Sequence, residues 1–286
     1  MKKTLILAGI LTFILAYSLD NANAGTVLAG AKYWSASWDS AVIDWFEKDI
    51  GVGFRAVGAN LVSDVDKGSG YLAGPVIGYQ NDAGTWAFSL ALMAFSDFNQ
   101  DWHGTAETMT LATSIDTRRT DIDLAATYSL SGYKDSLPFL KYCRVFAGYK
   151  YQTLHYDMIL NYLTQMGTIS YPYDLEAEVN MPTLGFGFVY PLRPKIALGL
   201  QGGTGLALID LKMKDPQGVT FTIDPKYSFT FNAEASLNLL PIDRLIVQLG
   251  LRYQEWYLKA RSPQRWARTE SKDITFGPTV TVVYAF

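Results

Sequence analysis

The chain ends Thr275-Phe276-Gly277-Pro278-Thr279-Val280-Thr281-Val282-Val283-Tyr284-Ala285-Phe286. Phe276, Pro278, Val280, Val282, Tyr284 and Phe286 share one parity; Thr275, Gly277, Thr279, Thr281 and Val283 share the other. Successive side chains of a strand point to opposite faces, so one face here is large and apolar and the other mostly small and polar. That is the pattern of a strand with an apolar medium on one side and a wetter interior on the other.

Working outward, the same parity recurs. Tyr227, Phe229, Phe231, Ala233, Ala235, Leu237 and Leu239 alternate with Ser228, Thr230, Asn232, Glu234, Ser236 and Asn238. Leu245, Val247, Leu249, Leu251 and Tyr253 alternate with Arg244, Ile246, Gln248, Gly250 and Arg252. Ile122, Leu124, Ala126 and Tyr128 alternate with Asp121, Asp123, Ala125 and Thr127, and Trp86, Phe88, Leu90 and Leu92 follow the rule too. A soluble sandwich also alternates, but with shorter strands and with its large residues turned to the core. Segments of roughly 10–15 residues suit tilted strands that cross a membrane.

The first 24 residues read as a processing segment. Met1-Lys2-Lys3 is a basic start, Leu5 to Leu19 is almost wholly apolar, and Ala22-Asn23-Ala24 offers small residues to a signal peptidase. Cleavage is expected after Ala24, leaving 25–286 as a single domain. The apolar run falls short of the ~20 residues of a spanning helix. Beyond it no stretch of ~18 apolar residues occurs, so no transmembrane helix is expected. Only helices and closed barrels satisfy every backbone polar group within lipid.

Short links at 81–84, 131–138, 191–194 and 240–243 alternate with longer ones at about 35–69, 98–117, 156–176, 211–225 and 260–271. Membrane barrels have short turns at one end and long loops at the other. The expectation is an all-β, transmembrane, antiparallel up-and-down barrel. Ten strands are preferred, at about 26–34, 70–80, 85–97, 118–131, 139–154, 177–190, 195–210, 226–239, 244–259 and 271–286. Counting Gly51–Val62 and Thr105–Ile115 as spanning strands gives the alternative, twelve; under the preferred count they extend above the membrane. Ser40 to Lys48, with Val42, Trp45 and Phe46, reads as a short interfacial helix. The Tyr-rich link 156–176 reads as a cover for the mouth or a segment at the membrane interface.

The terminal aromatic preceded by apolar residues at every second position (Val280, Val282, Tyr284, Phe286) resembles the C-terminal strand of Gram-negative outer-membrane β-barrel proteins. The resemblance covers that strand and the leader. It implies a cell outer-membrane location with both termini periplasmic, recognition of the last strand by the barrel-assembly machinery, and lipid and lipopolysaccharide as neighbours.

Inward parity collects Arg119, Asp121 and Asp123 on one strand, Arg144, Lys150 and Gln152 on the next, and Glu234 and Arg252 elsewhere. A turn centred near 134–135 places Arg119 near Lys150, with the two aspartates in diagonal reach of Lys150 and Arg144. Such charges either stiffen a narrow barrel or form an eyelet that selects small solutes. The expected function is a narrow porin-like channel or a structural and surface-interaction barrel. The alternative is an outer-membrane enzyme, a protease or lipid-modifying one, with a site at the extracellular rim. Omptin-like proteases of the resembled class keep a His/Asp couple near the external end of a strand, where His155-Tyr156-Asp157 lies here. For their second acidic pair the nearest candidates are Asp97 and Asp101, at the wrong spacing, while Asp121 and Asp123 show an Asp-x-Asp spacing but are placed inside the barrel. The chain therefore reads as non-enzymatic. No His-Glu-x-x-His, Gly-Lys-Ser/Thr loop or Cys/His cluster occurs, so no metal or cofactor is expected. Cys143 is the one cysteine, and a formal charge of −3 gives no support for a nucleic-acid partner. A narrow closed barrel can stand as a monomer, and that is the expected state.

The last long link carries Arg261, Arg265 and Arg268, and clustered guanidinium groups bind phosphate. They are read as a lipopolysaccharide contact. Charge reversal at Arg265 and Arg268 is expected to reduce the lipopolysaccharide that co-purifies with the protein; equal retention removes the contact.

Overall fold

The computed structural model describes residues 25–56, 58–106, 109–223, 227–261 and 268–286. Residues 1–24, which hold the expected leader, and Arg265 lie outside them, as do the side chains of Arg261 and Arg268.

The strands are β1 (Thr26–Asp39), β2 (Val62–Val65), β3 (Gly68–Gln80), β4 (Trp86–Met93), β5 (Phe95–Ala106), β6 (Met109–Ser129), β7 (Cys143–Thr164), β8 (Gly167–Arg193), β9 (Ile196–Lys214), β10 (Thr220–Ile223), β11 (Ser228–Leu239), β12 (Leu245–Arg261) and β13 (Arg268–Ala285). All pairings are antiparallel. β1 pairs with β3 through Thr26↔Gln80 to Trp38↔Gly68 and with β13 through Leu28↔Ala285 to Asp39↔Ile274, which closes the ring. β4 and β5 both lie between β3 and β6, end to end, and count as one wall position. The wall therefore has ten positions, β2 and β10 being short additions on β5 and β9.

Alternation reads directly as inside and outside. Phe276, Val280, Val282, Tyr284 and Phe286 are exposed on the outer face, while Thr275, Thr279 and Thr281 are buried in the lumen. Phe229, Phe231, Leu249, Leu251, Leu184 and Phe186 continue the outer apolar face on neighbouring strands. The eight steps from Phe276 to Tyr284, at about 3.3 Å each on a strand tilted by about 40°, rise about 20 Å, near the ~25 Å apolar band of outer-membrane barrels. Beyond the band the outer face turns charged at Lys272, Glu176 and Lys212.

The strands are longer than the expected ones. The link 98–117 is strand through most of its length, 156–176 is the tip of the β7–β8 hairpin, and β9 pairs with β10 across the link 211–225. Above the band the outside is water, so alternation continues there with polar residues outward, a pattern that reads as loop. The Tyr-rich segment is thus neither a cover nor an interfacial loop: its backbone is paired from Tyr156↔Leu175 to Thr164↔Gly167. The first half of Gly51–Val62 is the end of a helix, α1 (Ala41–Ala56), rather than a strand, and Val62 begins β2. This helix does not lie at the membrane interface. Ala41, Val42, Ile43, Trp45 and Phe46 are buried in the barrel end remote from the termini, with Phe46 against Trp102 and Tyr173 at 5.9 and 5.1 Å. An amphipathic helix buries its apolar stripe against any apolar surface, and here the lumen supplies it. Among the described residues no helix is long and apolar enough to cross a membrane.

The seam where β13 meets β1 tolerates little. A Cβ on Gly277 would lie 1.9 Å from the Ser35 carbonyl oxygen, whereas one on Gly132, in a terminal-end turn, would meet nothing within 4 Å. Gly277→Val is expected to lower the fraction of chain that refolds into a closed barrel, measured by far-ultraviolet circular dichroism in detergent. Gly132→Val should refold like the parent; equal refolding of both variants contradicts the reading of the seam.

Candidate functional site

The lumen has three layers. At the end carrying the termini and short turns is a cavity of about 440 Å³, lined by Gly78, Ser89, Thr127, Gly148, Gln201, Asn232, Ser236 and Asn238 among others. Small and polar residues recur there because they alternate, along each strand, with the outward apolar groups. Above it lies a layer of charges, and above that an apolar core.

Asp121 is the centre of the charge layer. It has no exposed surface. Arg119 donates to it from Nε at 2.9 Å and from Nη2 at 3.0 Å, Gln152 donates from Nε2 at 3.0–3.1 Å, and Lys150 Nζ stands at 2.7 Å. Arg119 continues to Thr275 at 2.8 Å, and Lys150 donates to the side-chain amide oxygen Oε1 of Gln254. Asp123 accepts from Arg252 Nη2 at 2.9 Å and lies 3.5 Å from Lys150. Glu234 accepts from Lys32 at 3.4 Å, Gln201 at 3.4 Å and Gln248 at 3.3 Å. The buried ring of Trp34 faces three of these cations, with Arg252, Lys150 and Arg119 at 4.9, 5.6 and 5.7 Å from its centroid. Cations over an indole face are attracted by its quadrupole, most strongly when desolvated.

The register between β6 and β7 differs from the expected one. Asp123 stands opposite Lys150, Asp121 opposite Gln152 and Arg119 opposite Leu154. The connection contains two short 3₁₀ turns, Leu130–Tyr133 and Pro138–Tyr142, which move its centre toward higher numbers by about two residues and so shift each cross-strand partner by about four. Arg144 is therefore a correction. It pairs with Ser129 across the ladder and lines the terminal-end cavity, outside the network; among the described residues it makes no salt bridge. Glu234 and Arg252 are directly opposite, yet their ion pairs run to Lys32 and Asp123. Lys32, Trp34, Gln254 and Thr275 also belong to the layer. Parity would have turned all four inward, but which heights coincide across the lumen depends on the stagger of the ring, which no local pattern states.

The apolar core above is continuous through Trp38, Phe98, Tyr156, Leu154, Trp102, Trp256 and α1. Trp38 meets Phe98 edge-on at 5.1 Å and stacks on Tyr156 at 5.9 Å. Asp273, above the apolar band, accepts from Trp38 Nε1 at 2.9 Å and from the Ala41 amide at 3.4 Å, a carboxylate at the start of α1. Burial pushes its carboxyl up to about 7, against the attraction of Arg119. Ser40 and Tyr156 share a hydrogen bond of 2.8 Å beside it.

The residues weighed for catalysis lie elsewhere. Asp97, Asp101 and His103 alternate outward along β5, while Phe98, Gln100 and Trp102 face the lumen. His155, Asp157 and Asp174 meet on the outer wall: His155 Nε2 is 3.2 Å from Asp157 Oδ1, and His155 Nδ1 is 3.5 Å from Asp174 Oδ1. None of these groups faces the lumen.

No family model matches the chain, and no curated protein matches it. Among solved structures, the outer membrane protease OmpT of Escherichia coli is similar, with a TM-score of 0.56 and 13% identity over 93% of this chain and 99% of that one. The translocator domain of the autotransporter NalP of Neisseria meningitidis gives 0.45 and 10% over 99% and 96%. The beta domain of the Bordetella autotransporter BrkA gives 0.40 and 11% over 92% and 99%. The chain has the all-β, antiparallel up-and-down fold of outer-membrane β-barrel proteins.

Removing one partner of a buried ion pair leaves the others uncompensated and costs about 3–5 kcal/mol. Asp121→Asn is expected to lower stability by that order in urea unfolding from lipid vesicles. Lys259→Ala, which breaks an exposed 3.2 Å pair with Glu270, should cost about 0–1 kcal/mol. Equal, small effects would contradict the central place of Asp121.

Proposed function

We propose that this chain is a non-conducting barrel of the outer membrane, a structural and surface-interaction protein and not an open porin-like channel. The observation that carries the reading is the filled upper lumen. From Trp34 upward the cross-section is occupied by buried side chains and then by α1, with the network of Asp121, Asp123, Glu234 and four cations as its floor. Small barrels are filled by side chains in this way. Charges on the lipid face of a barrel cost about 2–4 kcal/mol at midplane, so a charged layer at this height belongs inside and serves to hold opposite walls together.

The outer face supports the membrane seat, since an apolar band with tyrosines toward both edges is what lipid and the interface regions select. Under this reading the ends with short turns are periplasmic and the strand extensions are extracellular, in contact with lipid and lipopolysaccharide. The exposed Val280, Val282, Tyr284 and Phe286 face the side from which an assembly machinery would read them. The closed ring suits a monomer, and small solutes reach only the terminal-end cavity. A catalytic role has no support in the placement of His103 and His155, which sit on exposed outer walls.

Planar-bilayer recording of the refolded full-length protein tests the reading. Neither the parent nor the Asp121→Asn, Asp123→Asn double variant should give discrete openings. Stable openings in the parent, with an ion selectivity altered in the double variant, would replace the proposal with a charged eyelet.

A further inference from the structure

Two adjacent strands assemble on the outer wall a set of side chains that no linear motif contains. His155 and Asp157 stand two residues apart on β7 and so face the same side. On β8, Asp174 lies directly opposite Asp157, and Glu176 opposite His155. One ligand atom from each of His155, Asp157 and Asp174 can be chosen so that all lie within 4.8 Å of one another. The row continues onto β6, where Asp116 stands opposite Asp157. Three aspartates thus lie side by side on three neighbouring strands, although like charges directly opposite destabilise a sheet. Arg118 reaches Asp157 Oδ2 at 2.9 Å and leaves Oδ1 turned to the imidazole. Beside the group is an open recess lined by Asp116, Asp157, Tyr173, Asp174 and Lys214.

We propose that His155, Asp157 and Asp174 bind a first-row transition divalent cation of the zinc class. One imidazole nitrogen and two carboxylate oxygens are a common protein donor set for such an ion, with water completing the shell from the exposed side. The nitrogen donor sets the site apart from the all-oxygen cages that calcium and magnesium prefer. Arg118 holds the far oxygen of Asp157, the outer-shell contact that orients a ligating carboxylate. The paired backbones of β7 and β8 fix the spacing, so binding needs only side-chain rotation. Arg118 pairs with Asp157, and Lys214 stands opposite Asp174 on β9, so the ion adds to a counter-charge of two cations facing three aspartates. A protonated imidazole bridging the two carboxylates is the competing account of the same distances.

The experiment uses full-length protein refolded in detergent and free of any polyhistidine tag. Zinc is titrated by calorimetry, and copper(II) serves as the paramagnetic probe. The proposal expects one saturable zinc site and nitrogen hyperfine structure from a single imidazole in the copper spectrum. His155→Ala should weaken zinc binding by at least about tenfold and erase the nitrogen signal, and Asp174→Asn should weaken it by about tenfold. His103→Ala should change neither. His155 and Asp174 are partly exposed, and circular dichroism of each variant checks that the barrel is intact. The proposal is overturned by the absence of saturable zinc binding, which leaves the bridged imidazolium. Undiminished zinc binding in His155→Ala, or displacement of zinc by equimolar magnesium, overturns it as well and leaves a diffuse acidic surface.

Discussion

Closing a ladder of strands on itself is the constraint from which the remaining features follow. With β1 bonded to both β3 and β13, the backbone N–H and C=O groups of the wall find partners within it, as an apolar surrounding demands. Closure also creates an interior that must hold half of every strand's side chains. Ten positions make a lumen too narrow for bulk water throughout and too wide for one layer of small residues. The chain resolves this by height. It keeps small and polar residues near the termini, charges in the middle, and tryptophans with a helix above.

The charge layer is intelligible only as a set. Arg119, Asp121 and Lys150 have almost no exposure, and an isolated ion there would be expelled or neutralised. Asp121 instead accepts from three side chains on two strands, and Arg119 reaches Thr275 on β13, across the lumen from β6. Lys32 to Glu234 and Arg252 to Asp123 tie further strands together. The network therefore bridges opposite walls, which backbone pairing does not do. Trp34 sits where the charges end and the apolar core begins, its ring face meeting the cations and its surroundings above meeting carbon. The same ring gives the cations a partner and excludes water from the core.

Much of this architecture was legible in the residues. Parity assigns inside and outside on nearly every strand, because lipid and lumen are chemically different and strands have a period of two. The strand ending at Phe286, the inward set Asp121, Asp123, Lys150, Glu234 and Arg252, and a ten-position wall follow from it. Three things did not follow. The β6–β7 register depends on how many residues two 3₁₀ turns consume, which displaced Arg144 from the network. The helix at Ala41–Ala56 shows an apolar stripe, but Val42, Trp45 and Phe46 suit a lipid interface and a barrel interior equally, and only the space above Asp121 decides between them. The strand extensions hid because polar residues face outward above the band, where alternation loses its apolar half.

Those extensions also explain why the charged outer wall exists. Below the rim, an outward Asp or His would face hydrocarbon; above it, the same positions face water and become free to carry chemistry. β7 and β8 run far enough past the rim that Arg118, His155 and Glu176 form one cross-strand row and Asp116, Asp157 and Asp174 the next. Their spacing is imposed by a wall whose rigidity comes from its membrane part and from the charge network inside. Loops could place the same residue types but would leave their separations to thermal motion. A row of three aspartates is unfavourable by itself, and its persistence on a rigid surface is better accounted for by a counter-charge than by the solvent alone. The inner and outer charges thus obey one rule at two faces: each cluster of carboxylates must meet a cation, supplied by Arg119, Lys150 and Arg252 within the lumen and only in part by Arg118 and Lys214 outside.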